Sequence, residues 1–153
     1  MKRILMLLIA MVLVCSCKST KETKTTNSSR EGLVEKKLQQ TWILENLNGK
    51  VITDKDFLSS PKIVITPSAF SGSTGCNAVK GNLVSKGDGK IQFLNYTTET
   101  KKCDAKKEGE FTQLLKTTSG YSIKDNKLFL SNQFGLTMSF KKGLTSPKIA
   151  IQD

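Results

Sequence analysis

Tight-turn signals cut this chain into short runs, and that punctuation limits its fold more than any other feature. Asn48-Gly49, Lys86-Gly87-Asp88-Gly89 and Asp125-Asn126 carry the residues that tolerate the positive-φ positions of hairpin turns. The segments they separate have strand composition: Thr41-Trp42-Ile43-Leu44, Ile63-Val64-Ile65, Ala69 to Gly72, Asn82 to Ser85 and Ile91 to Tyr96. In the last of these, Ile91, Phe93 and Asn95 are expected on one face and Gln92, Leu94 and Tyr96 on the other. Tyr121 and Ile123 alternate with Ser122 and Lys124 up to the Asp125-Asn126 turn, Leu128-Phe129-Leu130 follows it, and Leu136 to Phe140 alternates as a last strand.

Helical spacing occurs in two places. Leu33, Val34 and Leu38 predict a short lead-in helix over Glu31 to Gln40. Between Ala105 and Thr118, Phe111, Leu114, Leu115 and Thr118 share a stripe while Lys106, Lys107, Glu110, Gln113 and Lys116 point away, which predicts one amphipathic helix. The expected fold class is therefore α+β, with a mostly antiparallel, barrel-like β-sheet and one main amphipathic helix before the final hairpin.

The N-terminus reads differently. Met1-Lys2-Arg3 is basic, and Ile4 to Val14 is an apolar run of 11 residues that ends at Cys15-Ser16-Cys17. A spanning helix needs about 20 apolar residues, whereas the core of a secretion signal needs roughly 7 to 15. The cysteine site resembles a lipobox, in which a small residue precedes the cysteine that is lipidated. Ser16 before Cys17 fits, whereas bulky Val14 before Cys15 does not. Residues 1–16 are thus expected to be a lipoprotein signal peptide, and residues 17–33 the lipidated cysteine and a flexible tether of Lys, Thr, Ser, Asn and Glu with almost nothing to bury. Residues 34–141 form the expected domain, and residues 142–153, with Pro147, a C-terminal tail.

Charge narrows the partners. Of 24 basic residues, Lys2 and Arg3 leave with the signal, so 22 face 13 acidic ones, and Arg30 is the only arginine among them. Nucleic-acid readers rely on arginine forks and stacked aromatics, which are not clustered here, so no nucleic-acid partner is expected. The lysines suit a solvated surface or attraction to anionic headgroups and envelope polymers.

Ser71-Gly72-Ser73-Thr74-Gly75-Cys76-Asn77-Ala78-Val79-Lys80-Gly81 resembles the signature of the META domain, the family that includes the HslJ-like envelope proteins. The flanks agree: Trp42-x-Leu44 with Leu47-Asn48-Gly49 resembles the opening strand and turn, Glu108-x-x-Phe111 with Leu115 the helix, and Tyr121-x-Ile123 through Leu128-x-Leu130 the closing hairpin. The resemblance implies a structural role for Trp42, Gly75, Asn77 and Gly81 and a connection to envelope stress. Gly72, Gly75 and Gly81 suit positive φ or close strand approach, and Asn77 can bond backbone groups in a turn. The resemblance also places Cys76 in the Gly-Cys-Asn turn and Cys103 just before the helix. In an oxidising compartment that pair is expected to form a disulfide, with two buried free thiols as the alternative.

Little catalytic chemistry is available. The chain has 0 His, which removes Ser-His and Cys-His nucleophile pairs and the usual zinc sets. Ser59-x-x-Lys62 and Ser139-x-x-Lys142 copy the spacing of penicillin-recognising enzymes without the companion motifs. Asp54-x-Asp56 is too small for a calcium loop, no phosphate-binding glycine loop exists, and Glu108 and Glu110 are read as solvated on different sides of a helix.

The expectation is a non-catalytic envelope lipoprotein with no cofactor and no metal, held at the outer membrane facing the periplasm. Its partners would be the membrane, through the lipid on Cys17, and an envelope protein or anionic polymer. Thiol-redox chemistry at Cys76 and Cys103 is the alternative, opposed by their wide spacing, with an inhibitor or lipid-binding barrel behind it.

Overall fold

The computed structural model describes residues 34–99, 101 and 107–144, and in it every turn signal is a turn. Asn48 and Gly49, Asp88 and Gly89, and Asp125 and Asn126 all take positive φ. Pairs of this kind match the right-handed twist of the strands they join. Among the described residues they help to produce nine strands: β1 Thr41–Leu47, β2 Lys50–Val51, β3 Lys62–Ile65, β4 Ala69–Ser73, β5 Ala78–Gly87, β6 Lys90–Thr98, β7 Gly120–Lys124, β8 Lys127–Asn132 and β9 Gly135–Lys142. One helix, α1 Glu108–Thr117, lies between β6 and β7.

The nine strands form a mostly antiparallel sheet in the order β2-β1-β3-β4-β5-β6-β7-β8-β9. Strand β1 also pairs with β9, Trp42 opposite Lys142 and Leu44 opposite Phe140, so the order of pairing returns to its start. The weakest seam lies between β6 and β7, where Lys90 opposite Gly120 is the one paired position. Helix α1 enters the chain at this seam and packs against β6. It sends Phe111 and Leu115 into the interior, and the Phe111 ring meets Phe140 edge-on with centroids 6.4 Å apart. The core is continuous, with Trp42, Phe70, Phe111 and Phe140 its largest fully buried side chains.

Three expectations are corrected. Over residues 34–40 the chain makes a single turn, with Leu38 N–H donating to Glu35 O and Gln39 N–H to Lys36 O, and no lead-in helix. A helix this short is costly to nucleate, and the neighbouring backbone has better partners: Val34 N–H donates to Pro67 O and Ile65 N–H to Gln40 O. Second, the alternation in β6 breaks. Register slips by one residue between Lys80–Thr97 and Asn82–Leu94, with Asn95 at φ 51°. This bulge turns Tyr96 inward against Phe70, at 5.3 Å between ring centroids, instead of outward with Leu94. Third, β9 continues to Lys142 and Gly143 N–H reaches Thr41 O, so the start of the expected tail belongs to the sheet. No described helix is long and apolar enough to cross a membrane.

Candidate functional site

Strand β4 ends at Ser73 and β5 begins at Ala78, so Thr74-Gly75-Cys76-Asn77 is the connection between them. Its polar groups turn inward: Thr74 and Asn77 are both buried. Thr74 N–H donates to Asn77 O at 2.8 Å, the Thr74 hydroxyl lies 3.0 Å from the same oxygen, and Asn77 N–H approaches Thr74 Oγ1 at 3.1 Å. The turn is closed from within by its own side chains.

Asn77 ties this turn to two other segments. Its Oδ1 accepts from Lys101 N–H at 2.8 Å, and its Nδ2 donates to Lys101 O at 3.3 Å and to Glu108 Oε2 at 3.0 Å. Glu108, the first residue of α1, also accepts from Asn77 N–H at 3.1 Å and from the Thr74 hydroxyl. One half-buried carboxylate thus gathers three donors from the turn, filling most of the acceptor positions that a carboxylate offers. The expectation that Glu108 is solvated is overturned. Glu110 is exposed and accepts from Asn48 Nδ2 at 2.5 Å, so the two glutamates serve different neighbours.

The other face of the turn is held by the segment after β2. Gly75 has φ 102°, and a Cβ there would lie 2.6 Å from the buried Phe57 ring, so only glycine fits both the backbone and the space. Ser59 donates to Gly75 O from its N–H at 2.9 Å and its hydroxyl at 3.1 Å. Nearby, Lys107 pairs with Asp56 at 2.8 Å, and Asp56 also accepts from Thr53. The Lys107 ammonium, helped by Thr53, holds the Asp56 carboxyl down to about 2. Gly81, farther along β5, passes so close to β6 that a Cβ would sit 2.4 Å from Leu94 O and 2.7 Å from the Phe70 ring. Trp42 is buried in the core, its indole N–H donating to Leu38 O at 2.9 Å.

The structure thus brings together Gly75, Asn77 and Glu108, with Trp42 and Gly81 placed elsewhere in the packing. Asn77, Glu99, Lys101, Glu108, Gln113 and Lys116 border an open hollow beside the clasp. The Ser-x-x-Lys pairs find other partners: Ser139 accepts from Asn46 Nδ2 at 2.7 Å, and Ser59 is taken up by Gly75 O. No group of three His, Cys, Asp or Glu among the described residues could hold a metal ion. Cys76 is half-buried. Cys103, Cys17, the signal, the tether and residues 145–153 lie outside the described residues. Sequence reasoning missed Glu108 because its partners stand 31 and 34 residues away. The signal that could have found it was a carboxylate opening a helix in a chain whose family motif supplies Thr and Asn donors.

Fold and site together define a class: a small, mostly antiparallel β domain with one short helix, whose Gly-Cys-Asn turn is pinned to that helix by a glutamate. The chain belongs to the META domain family, whose sequence profile matches residues 36–143. Comparison with curated proteins finds no match. Among solved structures it is similar to a protein from Burkholderia xenovorans determined by NMR, at 20% identity and TM-score 0.56, covering 70% of this chain and 83% of that one. A second NMR structure shares 22% identity at TM-score 0.54, covering 68% of this chain and 89% of that one. A DUF4847 family protein from Bacteroides vulgatus shares 16% identity at TM-score 0.53, covering 72% of this chain and 95% of that one. At these identities the likeness shows the fold.

Proposed function

We propose that this chain is a membrane-anchored envelope lipoprotein whose META domain is a non-catalytic, barrel-like binding module that supports the envelope under stress. The return of the strand order through β1 and β9 supports the barrel, and the Ser16-Cys17 lipobox supports the anchor. The observation that carries the non-catalytic reading is the Glu108 clasp. A carboxylate acting as general base must present a free acceptor to substrate, whereas this one already accepts from Thr74 and twice from Asn77. Its role here is to fix the family turn against α1. Cys76 is proposed to pair with Cys103 as a structural tie and not as a redox couple.

Fractionation of cells producing the full chain tests the anchor. Wild type is expected in the outer-membrane fraction and Cys17→Ala in the soluble periplasm. Recovery of both forms in the cytoplasm would overturn the reading.

A further inference from the structure

The outer face of the sheet carries a row of lysines that the clasp does not use. Residues directly opposite in antiparallel strands point to the same face. Ile43 on β1 stands opposite Lys62 on β3 and opposite Lys141 on β9; Lys141 stands opposite Lys127 on β8, and Lys127 opposite Lys124 on β7. Lys62, Lys141, Lys127 and Lys124 are all exposed and stand on one row crossing five adjacent strands, an arc of about 19 Å along the curved sheet at about 4.8 Å per strand.

Like charges directly opposite one another destabilise a sheet, yet here two successive cross-strand pairs are Lys–Lys. Three carboxylates lie near this row: Glu45 pairs with Lys127 at 2.7 Å, Asp54 borders the same hollow as Ile43 and Lys141, and Asp125 occupies the adjoining turn. The row is therefore a net positive stripe that the fold tolerates without gaining from it.

Its position points to the partner. The row crosses β1 at Ile43, two residues from the strand's start at Thr41, about 7 Å along the strand. That is the end of the sheet at which the chain arrives from Cys17. Sixteen residues separate Cys17 from Val34. We propose that Lys62, Lys124, Lys127 and Lys141 are a membrane-apposed stripe that docks the domain on phosphate-bearing anionic headgroups of the leaflet holding the lipid anchor. This rests on the anchored reading above. Electrostatic attraction of this kind decays within about 8 Å at physiological salt, so it acts only when the anchor keeps the domain at the surface.

The test uses the full-length lipidated protein in two kinds of vesicle, pure phosphatidylcholine and phosphatidylcholine with phosphatidylglycerol. Lysines are acetylated by a water-soluble reagent and read by mass spectrometry. The expected result is at least threefold slower labelling of Lys62, Lys124, Lys127 and Lys141 on the anionic vesicles, reversed by about 0.5 M salt. Lys80 and Lys86, away from the row, should label equally on both. Replacing the four row lysines with Gln should leave co-sedimentation with neutral vesicles intact and abolish the difference between vesicles in labelling of neighbouring Lys142. Equal labelling of the row on both vesicles, with co-sedimentation intact, would overturn the stripe while leaving the anchor standing. Protection by a soluble anionic polysaccharide but by neither vesicle would also overturn it, in favour of an envelope polymer. Failure of wild type to co-sediment with neutral vesicles would overturn the anchor itself.

Discussion

Glu108 is where a single substitution should disturb the domain most informatively. Glu108→Ala removes the carboxylate that the Thr74 hydroxyl, Asn77 N–H and Asn77 Nδ2 share, leaving them their contacts to Asn77 O, Thr74 Oγ1 and Lys101 O. An unsatisfied buried donor costs about 1–3 kcal/mol, and those contacts, with water reaching this half-buried site, recover part of that for each donor, so a loss of about 2 kcal/mol is expected. Urea denaturation should show it as a lower midpoint with unchanged slope. An unmoved midpoint would mean that the clasp contributes nothing. Gly81→Ala is a steric counterpart, since its Cβ would meet Leu94 O at 2.4 Å. Backbone cannot yield as a flexible side chain does, so about 2 kcal/mol or more should be lost, measurable in the same titration. The glycines and Asn77 were legible in the sequence because residue type reports local backbone demand. Glu108 was not, because an acidic residue in a helix's first turn is equally at home in water and its meaning depended on a distant turn.

At the level of elements, local signals were read well and long-range ones were not. The hairpin turns at Asn48-Gly49, Asp88-Gly89 and Asp125-Asn126 are encoded in adjacent residues, as is the amphipathic stripe that buries Phe111 and Leu115. The lead-in segment has helical spacing, yet its backbone bonds to Pro67 and β3, and nothing in its own residues announces that competition. The bulge at Asn95 likewise depends on how β5 and β6 meet. The ion pair that fixes the segment after β2 to the start of α1 provides a test at this scale. The Asp56 carboxyl is held at about 2 against an ordinary 3.8. A depressed carboxylate contributes stability above its unfolded value and loses it as pH falls through the folded one, so this contact should be intact above about pH 4 and lost between about 4 and 2. Carboxyl NMR should give Asp56 a midpoint near 2, rising toward 3.8 in Lys107→Gln. A midpoint near 3.8 in wild type would contradict the pairing.

For the whole molecule, the account joins a domain that must persist outside the cytoplasm to an anchor that keeps it at a surface. The proposed Cys76–Cys103 bond closes a loop of 28 residues, counted inclusively, between the family turn and α1. Closing such a loop stabilises by roughly 3 to 4 kcal/mol on the chain-entropy estimate, a large share of a small domain's stability. Reduction should therefore lower the melting temperature by more than about 10 °C, and thiol titration of the oxidised, denatured domain should find neither cysteine free; two titratable thiols there would end the idea. The anchor is the central claim, because placement in the envelope, an oxidising surrounding and the lysine stripe all follow from it. Its most direct test is mass spectrometry of the purified mature N-terminus. The predicted result is a chain beginning at Cys17 with a diacylglyceryl group on its thiol, and an unmodified Cys17 or a chain beginning elsewhere would contradict the account.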